Sequence, residues 1–108
     1  MKIAYSSMDG EKISGHPGRA KYLVIVELDD NKNIKSKRVI ENPLNHHKEG
    51  GREHSGVQRW EVLEEENVTI FITKRCGEGF KNNLAIRNIS LILTKQNDIN
   101  KVIKEELS

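Results

Sequence analysis

Apolar residues occur in short runs that are separated by polar segments containing glycine, asparagine or aspartate. Five of these runs have the length and composition of β-strands, at residues 2–6, 22–28, 33–41, 68–73 and 89–94. The third is rich in lysine, which suits an exposed strand near the edge of a sheet. The pattern therefore predicts three successive strands at the start of the chain and two separate strands later.

Three further segments carry apolar residues at every third or fourth position, the spacing that places them on one face of a helix. They begin near Gly56, at Gly77 and at residue 99, and Asn97 or Asp98 is suited to cap the last of them. The predicted order is thus βββαβαβα. The alternation in the second half predicts parallel pairing with right-handed crossovers, whereas the opening hairpin must be antiparallel.

These elements predict an α/β fold in which a mixed sheet carries helices on its faces, within a single domain of residues 1–108. Ligands of open α/β sheets collect at the carboxyl ends of the parallel strands. The loops at residues 7–19 and 74–79 follow the first and fourth predicted strands. We therefore expect a binding site to lie where these two loops meet.

Composition narrows the class of protein. The 108 residues are 35% hydrophobic and 31% charged, which excludes a disordered or fibrous chain. The longest apolar run, residues 22–26, is far shorter than the roughly 20 residues that cross a bilayer, and the N-terminus lacks the apolar segment of a secretory signal. We expect a cytoplasmic protein that binds no membrane. A net charge of +2, with aromatic residues that do not interleave with basic ones, does not indicate nucleic-acid binding.

The single cysteine excludes an intrachain disulfide and a metal site of four cysteines from one chain. Cys76 lies between a predicted strand and the Gly77-Glu78-Gly79 start of a predicted helix. Backbone N–H groups and the positive end of the helix dipole, with Lys74 and Arg75 beside them, are expected to stabilise its thiolate. The alternative is a buried, inert cysteine.

Histidines occur in both long polar segments. His46, His47 and His54 lie in the almost entirely polar segment 42–55, and His16 lies in the loop after the first strand. Neutral imidazoles are common metal ligands, although the zinc-finger spacing is absent. Solvent-exposed loop histidines are the alternative interpretation.

Four segments, spread over nearly the whole chain, resemble one protein family. They are the start Met1-Lys2-Ile3-Ala4, the segment Ser14-Gly15-His16-Pro17-Gly18-Arg19-Ala20, Asn42-Pro43 with the following His46-His47 and Gly50-Gly51, and Gly77-Glu78-Gly79 with Leu84 and Ile89. Together they are similar to the motifs of the dinitrogenase iron–molybdenum cofactor biosynthesis family, small accessory proteins and domains of nitrogenase cofactor assembly.

The resemblance implies a ribonuclease H-like α/β fold with a five-stranded mixed sheet and three helices. It also implies that the protein binds or carries an iron–sulfur or iron–molybdenum type cluster, and that its partners are proteins that donate or accept this cluster. We expect seven residues to bind the cluster, and three of them to be metal ligands. The seven are His16, Arg19, His46, His47, Cys76, Gly77 and Gly79, and the three ligands are His16, His47 and Cys76.

One thiolate and a few imidazoles cannot close a cage around a cluster, which generally takes four cysteines or a mixture of cysteine and histidine. So few ligands suit a carrier that holds a preassembled cluster and releases it. Lys74, Arg75, Arg19 and the basic segment 48–52 are expected to attract an anionic cluster.

Two other functions stay open. A metal-free interaction or regulatory module could use the same fold, and a small enzyme could use Cys76 as its nucleophile. The sequence contains no G-x-S-x-G, H-E-x-x-H or Walker motif. We therefore expect no enzymatic activity.

Overall fold

The strands and helices follow one another in the predicted order in a computed structural model that describes residues 1–44 and 59–107. The strands are β1 Lys2–Ser7, β2 Tyr22–Leu28, β3 Ile34–Glu41, β4 Val68–Thr73 and β5 Ser90–Leu93. The helices are α1 Glu61–Glu65, α2 Glu78–Ile86 and α3 Ile99–Val102, and α3 continues into a π-helical turn, Ile103–Leu107. None of the described helices is long and apolar enough to cross a membrane.

The five strands form one mixed sheet in the order β3-β2-β1-β4-β5. β1 pairs antiparallel with β2, and β2 pairs antiparallel with β3, which lies at an edge of the sheet. β1 pairs parallel with β4, and β4 pairs parallel with β5. The predicted α/β fold, mixed sheet and edge position of the lysine-rich strand are therefore confirmed.

The hydrophobic core has two layers, one on each face of the sheet, because successive strand residues point to opposite faces. Ile3 and Tyr5 pack in the layer that contains Val102 of α3. Ala4 packs in the other layer, with Leu63 of α1 and Leu84 of α2. β1 is thus covered on both faces, and its side chains from Ile3 to Tyr5 have no exposed surface.

Helix α2 ends at Ile86, where its C-terminus closes in a Schellman motif. The N–H of Ile89 donates to the carbonyl of Leu84 at 3.0 Å, and the N–H of Asn88 donates to that of Ala85 at 3.1 Å. Asn88 has a φ of 59°, a left-handed conformation that asparagine adopts more readily than most residues. Ile89 and Leu84 share one core layer, so the helix end is fixed by packing as well.

The starts of α3 and α1 can be compared with the predicted starts of these helices. Asp98 caps α3, because its carboxylate accepts from the N–H of Asn100 at 2.9 Å, so Asp98 is the cap of the two candidates. The predicted start of the first helix near Gly56 lies outside the described residues, and α1 begins at Glu61. Trp60, just before α1, is 7% exposed and is therefore a core residue.

Two residues of α2 test the assignment of its buried face. Leu84 is 1% exposed and Ile86 is 75% exposed. We expect Leu84→Ala to lower the free energy of unfolding by about 2–5 kcal/mol, because it leaves a cavity in the core. Ile86→Ala, the matched control on the same helix, is expected to change it by less than about 0.5 kcal/mol. Equilibrium unfolding in urea measures both, and equal losses would contradict the assignment.

Candidate functional site

A groove of about 300 Å³ opens near the carboxyl ends of β1 and β4. Its volume is at the lower end of the range typical of ligand sites. One wall comes from the loop after β1 and the other from the start of α2, and the lining residues are His16, Pro17, Gly18, Gly77, Gly79, Phe80 and Asn83. We call it the His16/Gly77 groove. The two loops that the sequence analysis placed at one edge of the sheet meet here.

Side-chain hydrogen bonds to the backbone shape the first half of the loop after β1. The N–H of Gly10 donates to Ser7 Oγ at 2.9 Å. The N–H groups of Glu11 and Lys12 both donate to Asp9 Oδ1, each at 2.9 Å. These two donors hold the pKa of Asp9 below its ordinary value, because they stabilise its carboxylate. The loop therefore has a fixed local conformation before it reaches the groove.

Two buried serines attach the second half of this loop to the sheet. The N–H of Ser14 donates to the carbonyl of Ser6 in β1 at 2.8 Å, and the Ser14 hydroxyl donates to Ser6 Oγ at 2.9 Å. Ser6 has no exposed surface and Ser14 is 8% exposed. Buried hydroxyls need such partners, so the pair fixes where the loop leaves β1 and turns towards the groove.

A tight turn carries His16, the candidate metal ligand. The carbonyl of His16 accepts from the N–H of Arg19 at 3.2 Å, with Pro17 and Gly18 at the two central positions. Proline suits the first of these positions because its φ is already fixed at the value that the turn requires. Pro17 and Gly18 are buried, whereas His16 and Arg19 are exposed. The turn therefore presents the imidazole at the surface on a rigid base.

The opposite wall is the N-terminus of α2. Gly77 is its N-cap and, having no side chain, caps none of the free N–H groups of the first turn. Such N–H groups and the positive end of the helix dipole favour an anionic group, although Glu78 already places one carboxylate in the first turn. A Cβ added at Gly77 or at Gly79 would meet no atom within 4 Å. The backbone here is therefore open to close approach by a ligand.

Cys76 lies beside the groove and is not one of its lining residues. Its side chain is half-buried, and this burial raises the pKa of the thiol above its ordinary value. Lys81 lowers this pKa and Glu78 raises it, both to a smaller extent than burial. The expectation that the helix start stabilises a thiolate is therefore wrong, because desolvation outweighs the nearby positive charge. A raised pKa also counts against Cys76 as an activated nucleophile.

The basic residues expected to assist Cys76 have other surroundings. The ammonium group of Lys74 donates to the side-chain oxygen of Asn97. Arg75 is exposed, and its carbonyl accepts from the Thr73 hydroxyl at 3.4 Å. Among the described residues, the cation that lowers the pKa of the thiol is Lys81, in the first turn of α2. Lys81 is five residues after Cys76, so a search restricted to adjacent residues misses it.

The structure brings together three of the seven predicted site residues, His16, Gly77 and Gly79. Arg19 lies in the same turn as His16, and Cys76 precedes Gly77, but neither lines the groove. The predictions for His46 and His47, and for the basic segment 48–52, lie outside the described residues. Within residues 1–44 and 59–107, no three His, Cys, Asp or Glu side chains are grouped so that they could hold a metal ion.

Sequence reasoning missed two groove residues on α2. The ring of Phe80 packs in the core, with its centroid 4.8 Å from that of Trp60 and 5.2 Å from that of Phe71. It is only half-buried, however, and its remaining surface lines the groove. Asn83 lies one turn later on the same face and donates to the carbonyl of Gly79 at 2.9 Å. Helical spacing was the available signal, because Phe80 is three residues after Gly77 and Asn83 is four residues after Gly79.

A second cavity, of about 320 Å³, lies at the opposite edge of the sheet, between the β2–β3 turn and α3. Its lining residues are Asn31, Lys32, Asn33, Ile34, Asn100, Ile103 and Lys104. It contains no imidazole or thiol, the two side-chain types that bind iron–sulfur clusters. Among the described residues, the chemistry of a metal-cluster site therefore points to the His16/Gly77 groove.

The fold and the groove define a small α/β protein whose described strands form one mixed sheet, with a glycine-lined groove at the carboxyl edge. Over residues 1–108 the chain matches the family described as "Dinitrogenase iron-molybdenum cofactor". The chain belongs to this family, which confirms the resemblance inferred from the motifs. A search among curated proteins found no match.

Three solved structures share the fold. A protein of Methanocaldococcus jannaschii, provisionally described as a dinitrogenase, is 31% identical, with a TM-score of 0.68 over 95% of this chain and 84% of that one. The protein PH0822 is 21% identical, with a TM-score of 0.71 over 96% of this chain and 87% of that one. A Thermotoga protein provisionally described as a NifB protein of the DUF35 family is 17% identical, with a TM-score of 0.64 over 95% and 84%. None of the three descriptions mentions ribonuclease H, so that label stays a prediction.

The direction of the Cys76 pKa shift predicts slow alkylation. At pH 7 the folded protein should react with iodoacetamide more slowly than the chain unfolded in urea, because a raised pKa leaves less thiolate. Glu78→Gln should speed the reaction and Lys81→Met should slow it further, since these residues raise and lower the pKa respectively. Mass spectrometry measures the rates, and faster alkylation of the folded protein would contradict the assignment.

Proposed function

We propose that this protein is a small cytoplasmic carrier of an iron–sulfur or iron–molybdenum type cluster. The cluster is cargo, held in the His16/Gly77 groove, and it passes between proteins that donate and accept it without being chemically converted. The observation that carries the proposal is the juxtaposition of His16 with the open N-terminus of α2 across one groove. Membership in the iron–molybdenum cofactor family supports the choice of cargo.

The two walls of the groove supply complementary interactions for such a cargo. The imidazole of His16 is a metal ligand on an exposed turn. The N–H groups at the start of α2 can donate to the sulfide atoms of a cluster, and such bonds are known to tune clusters in proteins. Because Gly77 and Gly79 place no Cβ in the way, the cluster can approach these N–H groups closely.

Cys76 is the proposed second ligand, next in sequence to Gly77. A coordinated thiol is deprotonated, so metal binding at Cys76 displaces the proton that burial otherwise retains. His46 and His47 are the further ligand candidates from the sequence. The described residues do not form a closed cage by themselves, and this openness favours release to an acceptor.

A metal-free interaction or regulatory module is the second candidate function. It is favoured by the dispersed arrangement of the described His, Cys, Asp and Glu side chains, which form no group of three. Such a module would form a complex with a protein partner that needs no cluster. The carrier, in contrast, would bind its partners differently in the loaded and empty states.

Cluster uptake tests the carrier directly. The protein is purified without oxygen, incubated with a preformed iron–sulfur or iron–molybdenum cluster, and analysed for iron, molybdenum and sulfide. We expect stoichiometric uptake, with affinity at least about 10-fold lower in His16→Ala, since loss of a ligand should cost no less than loss of a residue that orients one. Cys76→Ser should also weaken binding, and Lys104→Ala, at the second cavity, should not. No uptake by any sample would overturn the proposal.

Gly79→Ala separates ligand contact from folding. Alanine meets no atom within 4 Å at this position and favours helix, so the variant should gain up to about 1 kcal/mol of stability. Its methyl group would nonetheless stand between the backbone and a cluster, and uptake should fall. The midpoint temperature of thermal unfolding should thus rise, whereas cluster uptake should fall. Unchanged uptake would show that the cluster does not pack against α2.

A further inference from the structure

Asn42, the first residue after β3, is a buried amide surrounded by hydrogen-bond partners. It is 9% exposed. Its Nδ2 group donates to the carbonyl of Pro17 at 2.7 Å and to that of Ala20 at 3.0 Å. Its Oδ1 accepts from the N–H of Leu44 at 3.0 Å. Both amide protons and the carbonyl of this side chain are therefore used.

The carbonyls that Asn42 holds belong to the turn that carries His16. Pro17 is at the centre of this turn, which the bond from the Arg19 N–H to the His16 carbonyl closes, and Ala20 follows it. In addition, the backbone N–H of Asn42 donates to the carbonyl of Lys21 at 3.1 Å. A single residue thus makes three hydrogen bonds to the chain that immediately surrounds the candidate ligand.

Pro43, the residue after Asn42, is connected to the other wall of the groove. The carbonyl of Pro43 accepts from the N–H of Arg59 at 2.9 Å. Trp60 follows Arg59, and its ring packs 4.8 Å from that of Phe80, which lines the groove on α2. The end of β3 is therefore bonded to the His16 turn and, through Trp60, packed against α2.

We infer that Asn42 is a positioning residue of the candidate site. It sets the place of His16 relative to the N-terminus of α2 by holding the turn, and it does not line the groove itself. Asparagine fits this role because its planar amide donates two hydrogen bonds and accepts at the same time. Aspartate has the same size but no donor when ionised, and serine has only one donor.

The structural part of this inference is tested without any cluster. In nitrogen-15 NMR spectra of the whole chain, the Asn42 side-chain amide protons should exchange slowly with solvent. Asn42→Asp should shift the backbone signals of residues 16–20 and speed exchange of the Arg19 N–H. Leu107→Ala, which removes packing on the opposite face of the sheet, is the control for general destabilisation and should leave these signals in place. Unshifted signals in Asn42→Asp would overturn the inference.

The functional part rests on the proposed carrier function. Asn42→Asp should weaken cluster affinity at least about 10-fold, the effect typical of losing a residue that orients a metal ligand. In the His16→Ala background the same substitution should cause no further loss, because it acts through His16. Equal losses in both backgrounds would show a merely structural role. Absence of uptake by the unmodified protein would defeat the carrier proposal, and the NMR result would then decide the role of Asn42.

Asn42→Ser provides the second variant if Asn42→Asp does not fold. Serine carries no charge and keeps one donor, so it should retain part of the attachment of the turn. We expect smaller shifts at residues 16–20 than in Asn42→Asp and a smaller decrease in affinity. If Asn42→Ser folds and has the NMR spectrum and affinity of the unmodified protein, Asn42 is not a positioning residue.

Discussion

The parallel alignment of β1 with β4 is the constraint on which the candidate site depends. In the register of this pair Tyr5 lies opposite Ile72, so the two strands end almost level, at Ser7 and Thr73. Tyr5 and Ile72 have no exposed surface, and burial of such side chains stabilises the pairing. The loops that follow therefore leave the sheet side by side. Antiparallel pairing would have carried the Gly77 loop to the opposite edge.

Polar interactions, more than apolar packing, then give these loops their shape. Ile13, an apolar anchor of the loop after β1, is 2% exposed and donates its N–H to the carbonyl of Asn97. Elsewhere its backbone is held by Asp9, Ser14 and Asn42. A loop ordered in this way before binding has less conformational entropy to lose when a ligand arrives. Such a loop can therefore bind a cluster with moderate affinity although it offers few metal ligands.

Elements that depend on local pattern could be predicted most accurately from the sequence. The boundaries of β2 and β4 match the apolar runs at residues 22–28 and 68–73. The meeting of the two loops followed from topology, because parallel strands share an edge. Two features could not be predicted from the sequence. The Cys76 pKa depends on how much water the folded chain excludes, and the bonds of Asn42 to Pro17 and Ala20 join residues 25 and 22 positions apart.

In the proposed carrier, the two described ligand candidates differ in how they bind a metal. The imidazole of His16 is carried on an exposed turn and can bind a metal through a ring nitrogen. Cys76 must first lose a proton, and burial raises the pKa of its thiol. Metal binding at Cys76 would therefore release a proton, and return of this proton to the thiol would favour release of the cargo. The desolvation that raises this pKa thus suits a ligand that has to release its cargo.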